Sequence, residues 1–490
     1  MGKLTENKPK CLISVNGKNI LQTISIAFPN ATLHIIGDYK IDILQSYLEV
    51  VNPDFKYDII KADGKGTNAG INKALEYIPN GRSFVISWAD LFYQSLISVS
   101  DENRNYIGLS NSNKCRYSFA NGKFKEEDTN SNGIIGLFLF KDKSLLSGLP
   151  SDGEFVRFLG QTNIEFFPLV VDSVREIGTL DSYLSFKSQF PVSRFFNNIE
   201  IKDETITKLA SDPKFKYLLE DEINWYRYMQ NKKFSGIPKV QSYEPLKLER
   251  IKGIHPHQIK GLSHNNKLNL IENIIERLNE MHSIATSPVN PNDLYDVYVN
   301  KTLERIKPVT KMLKMNSEGN YNVNGKKIAA ISLDEPEIIT GLYHKLAPVH
   351  SFCTIHGDPT FSNTLIMNNN EVKFIDPRGY FGNSKIFGDP RYDFAKLYYS
   401  AVGNYDQFNE QNFELKFNGK EITIKIDSSG FEDARKLLEN YSINMRDIEI
   451  VHSLIWLSLS GYFLNDVDSM IASYFHGLEL ISEVFNKYGI

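Results

Sequence analysis

The pattern of apolar and polar positions changes character partway along the chain. From residue 10 to 185, short apolar runs alternate with stretches of helical period. CLISV (11–15), TLHIIG (32–37), YDIIKA (57–62), SFVISW (83–88) and GIIGLFLF (133–140) read as strands. ILQTISIAF (20–28), IDILQSYLEVV (41–51) and NAGINKALEYI (68–78) read as the helices between them. Strands alternating with helices predict βαβ units and a largely parallel sheet. After about residue 185 the texture shifts. VSRFFNNIEIKDETITKLAS (192–211) predicts a β-hairpin, FKYLLEDEINWYRYMQ (215–230) a helix, and PLKLERIKG (245–253) a further strand. From Lys267 onward helical period dominates, with Leu270, Ile274, Leu278 and Met281 on one face. One more strand pair is expected, around 364–375. The domain boundary is placed near 186–196, giving residues 1–187 and 188–490. The second part divides into a small lobe at about 190–252 and a helical lobe at about 253–490.

Composition narrows the class. At 490 residues, 41% hydrophobic and 23% charged, the chain reads as an ordinary globular protein of two or three domains. A net charge of −4 supplies no basic field, so nucleic acid and acidic membrane are not expected partners. Three scattered cysteines (11, 115 and 353) argue for a reducing compartment and against a disulfide framework or a zinc site. The first residues, MGKLTENKPK, hold no signal-peptide core and no myristoylation pattern. The apolar stretch 448–464 contains His452, Ser453, Ser458 and Ser460 and predicts a buried helix rather than a membrane span. A cytoplasmic protein acting on a small molecule follows, with homo-oligomerisation left open.

The richest chemistry lies at 356–376, HGDPTFSNTLIMNNNEVKFID. His356 and Asp358 are two apart, Asn363 follows Asp358 by five, and Asp376 closes the apolar run 372–375. Phosphoryl transfer from ATP needs such a set: a carboxylate for the proton of the attacking hydroxyl, and an amide oxygen plus a second carboxylate for Mg²⁺. IHGDPTFSN followed by FIDPRG resembles the aminoglycoside phosphotransferase and choline kinase superfamily. The resemblance spans about 190–490 and implies a two-lobed, protein-kinase-like α+β domain. It implies Asp358 as the catalytic base, and Asn363 and Asp376 as Mg²⁺ ligands. It further implies Lys208 on the α/β-phosphates, paired with Glu222 (Glu220 is the rival). Ser193 and Asn197 would lie in the turn over the ATP phosphates, and Glu249 at the adenine-binding hinge. Gly357, where protein kinases carry Arg, fits a small-molecule acceptor.

Other residues carry blander expectations. His356 reads as a structural hydrogen-bonder, Asp393 as a tie between the catalytic loop and a helix, and His282 as core. His255 and His257 read as a solvated loop. Asp389 and Arg378 stand evenly between substrate contact and structural ion pair. Tyr380, Phe381, Trp456, Tyr462 and Phe463 could line an acceptor site, although aromatic residues are common here. The strand exit IDPRG lacks the acidic, Tyr-containing character of choline kinases, which favours a sugar or polyol.

The N-terminal part resembles sugar-nucleotide pyrophosphorylases. Pro9-Lys10-Cys11-Leu12 and Asn16-Gly17-Lys18 match that family's opening motif. KGTNAGINKAL resembles its Gly-Thr loop, with Gly66 and Thr67 facing the nucleotide. SFVISWADLF places Asp90 at a strand end as a metal ligand, and REIGTLDSYLSF resembles its closing motif, with Glu176 where a second metal Asp is usual. Lys3 stands where Arg is usual. The resemblance implies a Rossmann-like mixed sheet of GT-A type, with Lys10 stabilising the triphosphate and CTP or UTP as co-substrate. That family's first strand and most of its Gly-rich loop would lie before Met1. The expectation there is two-sided: a start upstream of Met1, or a domain that has lost nucleotide binding. Together the halves imply a kinase coupled to a nucleotidyltransferase that makes an activated donor for capsule, lipopolysaccharide or wall polymers. The alternatives are a kinase with a non-catalytic N-terminal domain, a choline-type kinase and cytidylyltransferase, or a non-enzymatic regulator.

Overall fold

The computed structural model describes residues 2–189, 197–313, 319–329, 336–441 and 443–489, with the side chain of Asn197 excluded. The chain divides into two compact units, Met1–Pro191 with Asn465–Val467, and Val192–Leu464 with Asp468–Ile490.

In the first unit the expected helices form at Ile20–Ala27, Ile41–Val51 and Thr67–Leu75. Leu33–Gly37 and Tyr57–Lys61 pair in parallel, from Leu33↔Tyr57 to Gly37↔Lys61. A larger sheet runs in the order Phe167–Val170, Tyr106–Ser110, Gly133–Phe140, Cys115–Ala120, Lys123–Thr129, with Phe84–Ser87 also on Gly133–Phe140. In that sheet one pairing, Phe167–Val170 with Tyr106–Ser110, is parallel, and the rest are antiparallel. A largely parallel sheet is therefore a wrong expectation. The cause is local: Asn121 and Gly122, both at positive φ, close a two-residue hairpin between Ala120 and Lys123, and such turns join antiparallel strands. The expected strand at 11–15 is also shorter. Lys10–Leu12 is a 3₁₀ turn, and only Ser14–Val15 pairs, with Lys18–Asn19.

Gly133–Phe140 is buried along nearly its whole length, and Phe138, Phe140, Phe155 and Phe166 pack around it. Its register breaks between Ile134 and Phe138. Gly136 sits in that break at φ +83°, and a Cβ there would lie 1.8 Å from Trp88 Cδ1. The backbone thus gives way so that the Trp88 ring can lie against it.

In the second unit, Asn197–Ile201, Thr205–Ala210, Leu246–Glu249 and Val240–Tyr243 form an antiparallel sheet in that order. The helix Lys216–Asn231 follows the second of these strands and buries Leu219, Trp225, Tyr226 and Met229. The helical part is built on His264–His282, Lys301–Met312, Pro390–Ala401 and Met445–Leu459. Every residue of Met445–Leu459 except Arg446 is buried, as expected of the apolar run there. Among the described residues no helix is long and apolar enough to cross a membrane.

A single expected strand pair understates this region. Thr364–Ile366 does pair with Val372–Phe374. A second sheet, Lys326–Ala329, Asn320–Val323, Glu421–Ile426 and Phe413–Asn418, is also present. Its signal was in the sequence: Asn324-Gly325 and Asn418-Gly419 each end an alternating run. Between Pro291–Tyr295 and Lys301–Met312 the helix takes π geometry over Asp296–Asn300.

Gly136→Ala is expected to destabilise the first unit by ~3 kcal/mol or more, combining a positive φ with overlap on Trp88. A denaturant midpoint followed by Trp fluorescence measures it. Gly148→Ala, whose Cβ would meet nothing within 4 Å, should stay within about 0.5 kcal/mol of the parent. Equal midpoints for the two variants would disprove the Trp88 packing argument.

Candidate functional site

In the second unit the chemistry is built around one buried carboxylate. Asp393, fully buried on the helix Pro390–Ala401, accepts from the His356 N–H at 2.8 Å and the Gly357 N–H at 2.7 Å. His282 Nε2 lies 3.0 Å from Asp393 Oδ2. His356 is also fully buried. Its Nε2 donates to Ile375 O at 3.1 Å, which leaves Nδ1 to accept from the Asp358 N–H at 3.2 Å. Trp225 Nε1 donates to Ile355 O at 2.7 Å. His356, Asp393 and His282 therefore hold a loop rigid, and Asp358 lies on that loop.

The hairpin that follows brings the remaining groups home. Thr364 pairs with Phe374, and the Ile375 N–H donates to Asn363 O at 2.9 Å, so Asn363 and Asp376 emerge side by side. Asn363 Nδ2 donates to Asp358 O at 2.8 Å and to Asp358 Oδ2 at 3.1 Å. Asp376 has φ +58°, a left-handed conformation that costs a non-glycine residue about 1 kcal/mol or more and that Asp tolerates better than most. Lys208 Nζ stands 2.6 Å from Glu222 Oε1 and 2.5 Å from Asp376 Oδ1. Burial alone would lower the Lys208 pKa. The Asp376 and Glu222 carboxylates outweigh it and hold the ammonium charged well above its ordinary range. Glu220 instead pairs with Lys216 at 3.5 Å on the exposed face of the helix.

The structure thus gathers Lys208, Glu222, Asp358, Asn363 and Asp376. Ser193 lies outside the described residues, as does the side chain of Asn197, whose backbone opens the first strand of the small sheet. Glu249 closes a strand, and its N–H already donates to Lys239 O at 2.9 Å. It is therefore not free to offer that N–H to an adenine. His255 and His257 do not form a solvated loop. His255 Nδ1 meets Thr364 O at 2.9 Å and His257 Nε2 meets Glu410 at 3.1 Å, fastening the segment after the strand Leu246–Glu249. Asp389 is a structural ion pair: it is fully buried, caps Pro390–Ala401, and holds Arg391 at 2.8 Å. Trp456 and Phe381 are core.

Lys396, Lys301 and Arg305 of this centre escaped the sequence reading, whereas Arg378 was weighed there between substrate contact and structural ion pair. Lys396 Nζ lies 3.0 Å from Asp358 Oδ1. Its signal was its place on one helix with Asp393, three residues later. Arg378 donates through Nη1 to Tyr392 Oη at 2.9 Å and through Nη2 to Tyr380 Oη at 3.1 Å. Lys301 Nζ reaches the same Tyr392 oxygen at 3.2 Å, and Arg305 follows Lys301 by one helical turn. Burial first, then the charge of Arg378, pushes the pKa values of Lys301 and Arg305 down.

Mg²⁺ fits the donor set of this centre. The Asn363 amide nitrogen is spent on Asp358, its oxygen accepts no hydrogen bond among the described residues, and Asp376 stands beside it. Oxygen donors of this kind suit a hard divalent cation.

In the first unit, Asp90 lies just past Phe84–Ser87, and Lys10 Nζ reaches its Oδ2 at 2.9 Å. Val174–Glu176 pairs antiparallel with Leu91–Tyr93, setting Glu176 opposite Leu91. Gly178 completes the approach: a Cβ there would be 3.0 Å from Asp90 Oδ2 and 3.4 Å from Glu176 Oε1. Burial, then the Asp90 charge, pushes the Glu176 carboxyl up to about 7 against the opposing pull of Lys10. Two carboxylates under mutual repulsion suit a divalent cation. Gly66 and Thr67 are held differently. Gly66, at φ +79°, passes so close to Gly153 that a Cβ would lie 2.4 Å from its carbonyl oxygen. Thr67 Oγ1 accepts from the Phe155 N–H at 2.8 Å. Their contacts go to the loop 150–155, not to Asp90 or Glu176.

The fold favours protonated Glu176. Its stabilisation is therefore full below the ordinary value of 4.5 and is lost as pH rises to about 7. Glu176→Gln is expected to raise the melting temperature of the first unit at pH 8 by about 2–4 °C, a screened effect of about 1 kcal/mol. The gain should vanish at pH 4. A gain that is the same at both pH values would contradict the assignment.

No protein-family model and no curated protein sequence matches the chain. Among solved structures, it is similar to the gentamicin complex of APH(2")-IIa, at 18% identity over 62% of this chain and 96% of that one, with a TM-score of 0.38. It is similar to the choline kinase LicA from Streptococcus pneumoniae, at 14% identity over 60% of this chain and 92% of that one, TM-score 0.38. It is also similar to HddC from Yersinia pseudotuberculosis, at 18% identity over 37% of this chain and 90% of that one, TM-score 0.32.

Proposed function

We propose that the second unit transfers the γ-phosphoryl group of ATP to a hydroxyl of a small molecule, a sugar or polyol. The first unit would then couple the phosphorylated product to a nucleoside monophosphate from CTP or UTP. The observation that carries the first step is the convergence of Lys208, Glu222 and Asp376 beside an Asp358–Asn363 pair.

The chemistry follows from that placement. Asp358 accepts the proton of the acceptor hydroxyl as its oxygen bonds to the γ-phosphorus and the bond to ADP breaks. Lys396, 3.0 Å from Asp358, fixes the carboxylate and places positive charge beside the moving phosphoryl group. Lys208, oriented by Glu222, supplies the cation for the α/β-phosphates. Asn363 and Asp376 would hold Mg²⁺, which when bound neutralises charge on the phosphates. In the first unit, a phosphate oxygen of the product would attack the α-phosphorus of the second nucleotide and expel pyrophosphate. Lys10 would stabilise the triphosphate charge, and Asp90 and Glu176 would hold the metal. An activated donor for a surface polysaccharide is the use that such a product suits, and a cytoplasmic enzyme is the reading consistent with it.

The test is ³¹P NMR of the full chain with Mg-ATP, CTP, UTP and a pool of sugars, polyols and choline. A phosphomonoester that converts to a diphosphodiester supports both steps; one that accumulates leaves the kinase alone. Asp358→Ala is expected to lower phosphomonoester formation about 10²–10⁴-fold, with Mg-ADP affinity within about threefold. Normal turnover would disprove the base assignment. Asp90→Ala is expected to stop nucleotidyl transfer only; loss of kinase activity in folded protein would count against two separable centres.

A further inference from the structure

The surroundings of Asp358 hold more cations than their carboxylates can neutralise. Lys301 and Arg305 project from one face of Lys301–Met312, Arg378 follows Asp376 by two residues, and Lys396 comes from Pro390–Ala401. All four are half-buried. Lys301 and Arg378 converge on a single neutral atom, the Tyr392 hydroxyl oxygen, at 3.2 and 2.9 Å. Arg378 also lies over the Tyr380 ring, 4.5 Å from its centroid. The nearby carboxylates are already engaged: Asp358 by Lys396 at 3.0 Å, and Asp221 by Lys385 at 2.9 Å. Among the described residues, no carboxylate lies within ion-pair distance of Lys301, Arg305 or Arg378.

Cations held this way are costly. Removing them from water is unfavourable unless an opposite charge or full hydrogen bonding compensates. Neutral phenols compensate in part, and the like charges repel one another. An oxyanion placed among them would complete the site, because Arg and Lys together match carboxylate and phosphate oxygens. The nucleotide does not meet this need. Its phosphates and metal are served by Lys208, Asn363 and Asp376, and Lys301 and Arg305 make no contact with those groups.

We infer that the acceptor of the phosphotransfer reaction is itself an anion, a hydroxylated carboxylate or phosphate whose charged group is bound by Lys301, Arg305 and Arg378. The inference rests on the phosphotransfer reading above and narrows its substrate class. A cationic acceptor, such as an amine or quaternary ammonium compound, is excluded by the same charges.

The test uses the full chain with Mg-ATP and matched acceptors: glycerol, glycerate and glycerol 3-phosphate; glucose, gluconate and glucose 6-phosphate; and choline. ADP release is measured for each. The anionic members are expected to exceed their neutral parents by about tenfold or more in kcat/KM, with choline inactive. Carboxylate and phosphate members separate the two sources of the anion. Because none of these need be the natural acceptor, binding of inorganic phosphate to the Mg-ADP complex is measured in parallel by calorimetry. Arg305→Gln and Lys301→Gln are expected to weaken phosphate binding about tenfold or more, while Mg-ADP affinity stays within about twofold. Both variants are also expected to melt no lower than the parent, since each removes a repelling charge; a merely structural role predicts the reverse. Preference for a neutral or cationic acceptor overturns the inference. So does phosphate that fails to bind, or binds equally well to both variants, while Mg-ADP still binds in a manner sensitive to Lys208→Ala. If Mg-ADP does not bind at all, the phosphotransfer reading falls and the inference with it.

Discussion

The second unit depends on the two oxygens of Asp393. A carboxylate with no solvent contact must have its charge answered by donors, and here they are two consecutive backbone N–H groups and an imidazole. That demand fixes the backbone at His356 and Gly357, which fixes Asp358 one residue on. Gly357 is at φ +82°, and a Cβ there would lie 2.8 Å from Arg378 Cβ, so this loop and the strand exit that carries Asp376 interlock tightly. The constellation around Asp358 is thus not a set of independent side chains. It is the consequence of one buried charge and the hydrogen bonds that make its burial tolerable.

The first unit reaches a similar end by another route. There, strands bring Asp90 and Glu176 together, and Gly178 leaves room for their approach. The electrostatic outcome is opposite. Asp393 is surrounded by donors, whereas Glu176 faces another carboxylate with Lys10 as the counter-charge beside them. One arrangement is complete without a ligand; the other leaves negative charge that a cation would answer.

Much of the centre around Asp358 was legible in the sequence because its parts are local. His356, Asp358, Asn363 and Asp376 fall within one loop and hairpin, and Lys208 and Glu222 within one strand–helix unit, so spacing alone brings them within reach. The strand Phe413–Asn418 was missed although its Asn-Gly turn was visible, since the helical period around it dominated the reading. Of the cationic cluster, Arg378 alone was singled out in the sequence. The cluster's four members come from three separate segments, and nothing in a run of residues says that Lys301 and Arg378 share a hydroxyl oxygen. In the first unit, the helices were read well. The sheet was not, because an alternation of strands and helices was extended past the point where Asn121-Gly122 turns the chain back on itself.

The π segment Asp296–Asn300 has a consequence for how such a cluster could arise or be lost. A π turn holds one residue more than the α turn it replaces, so it offsets everything after it by about 100° around the helix axis. Lys301 and Arg305 begin directly after that offset. Their aim therefore depends on chain length as much as on side-chain identity. Deleting one residue here would restore α geometry, rotate both cations away from Tyr392 and turn a different face of the helix toward it. The charge that this helix presents toward Tyr392 is thus set by one residue of chain length, with no basic residue replaced.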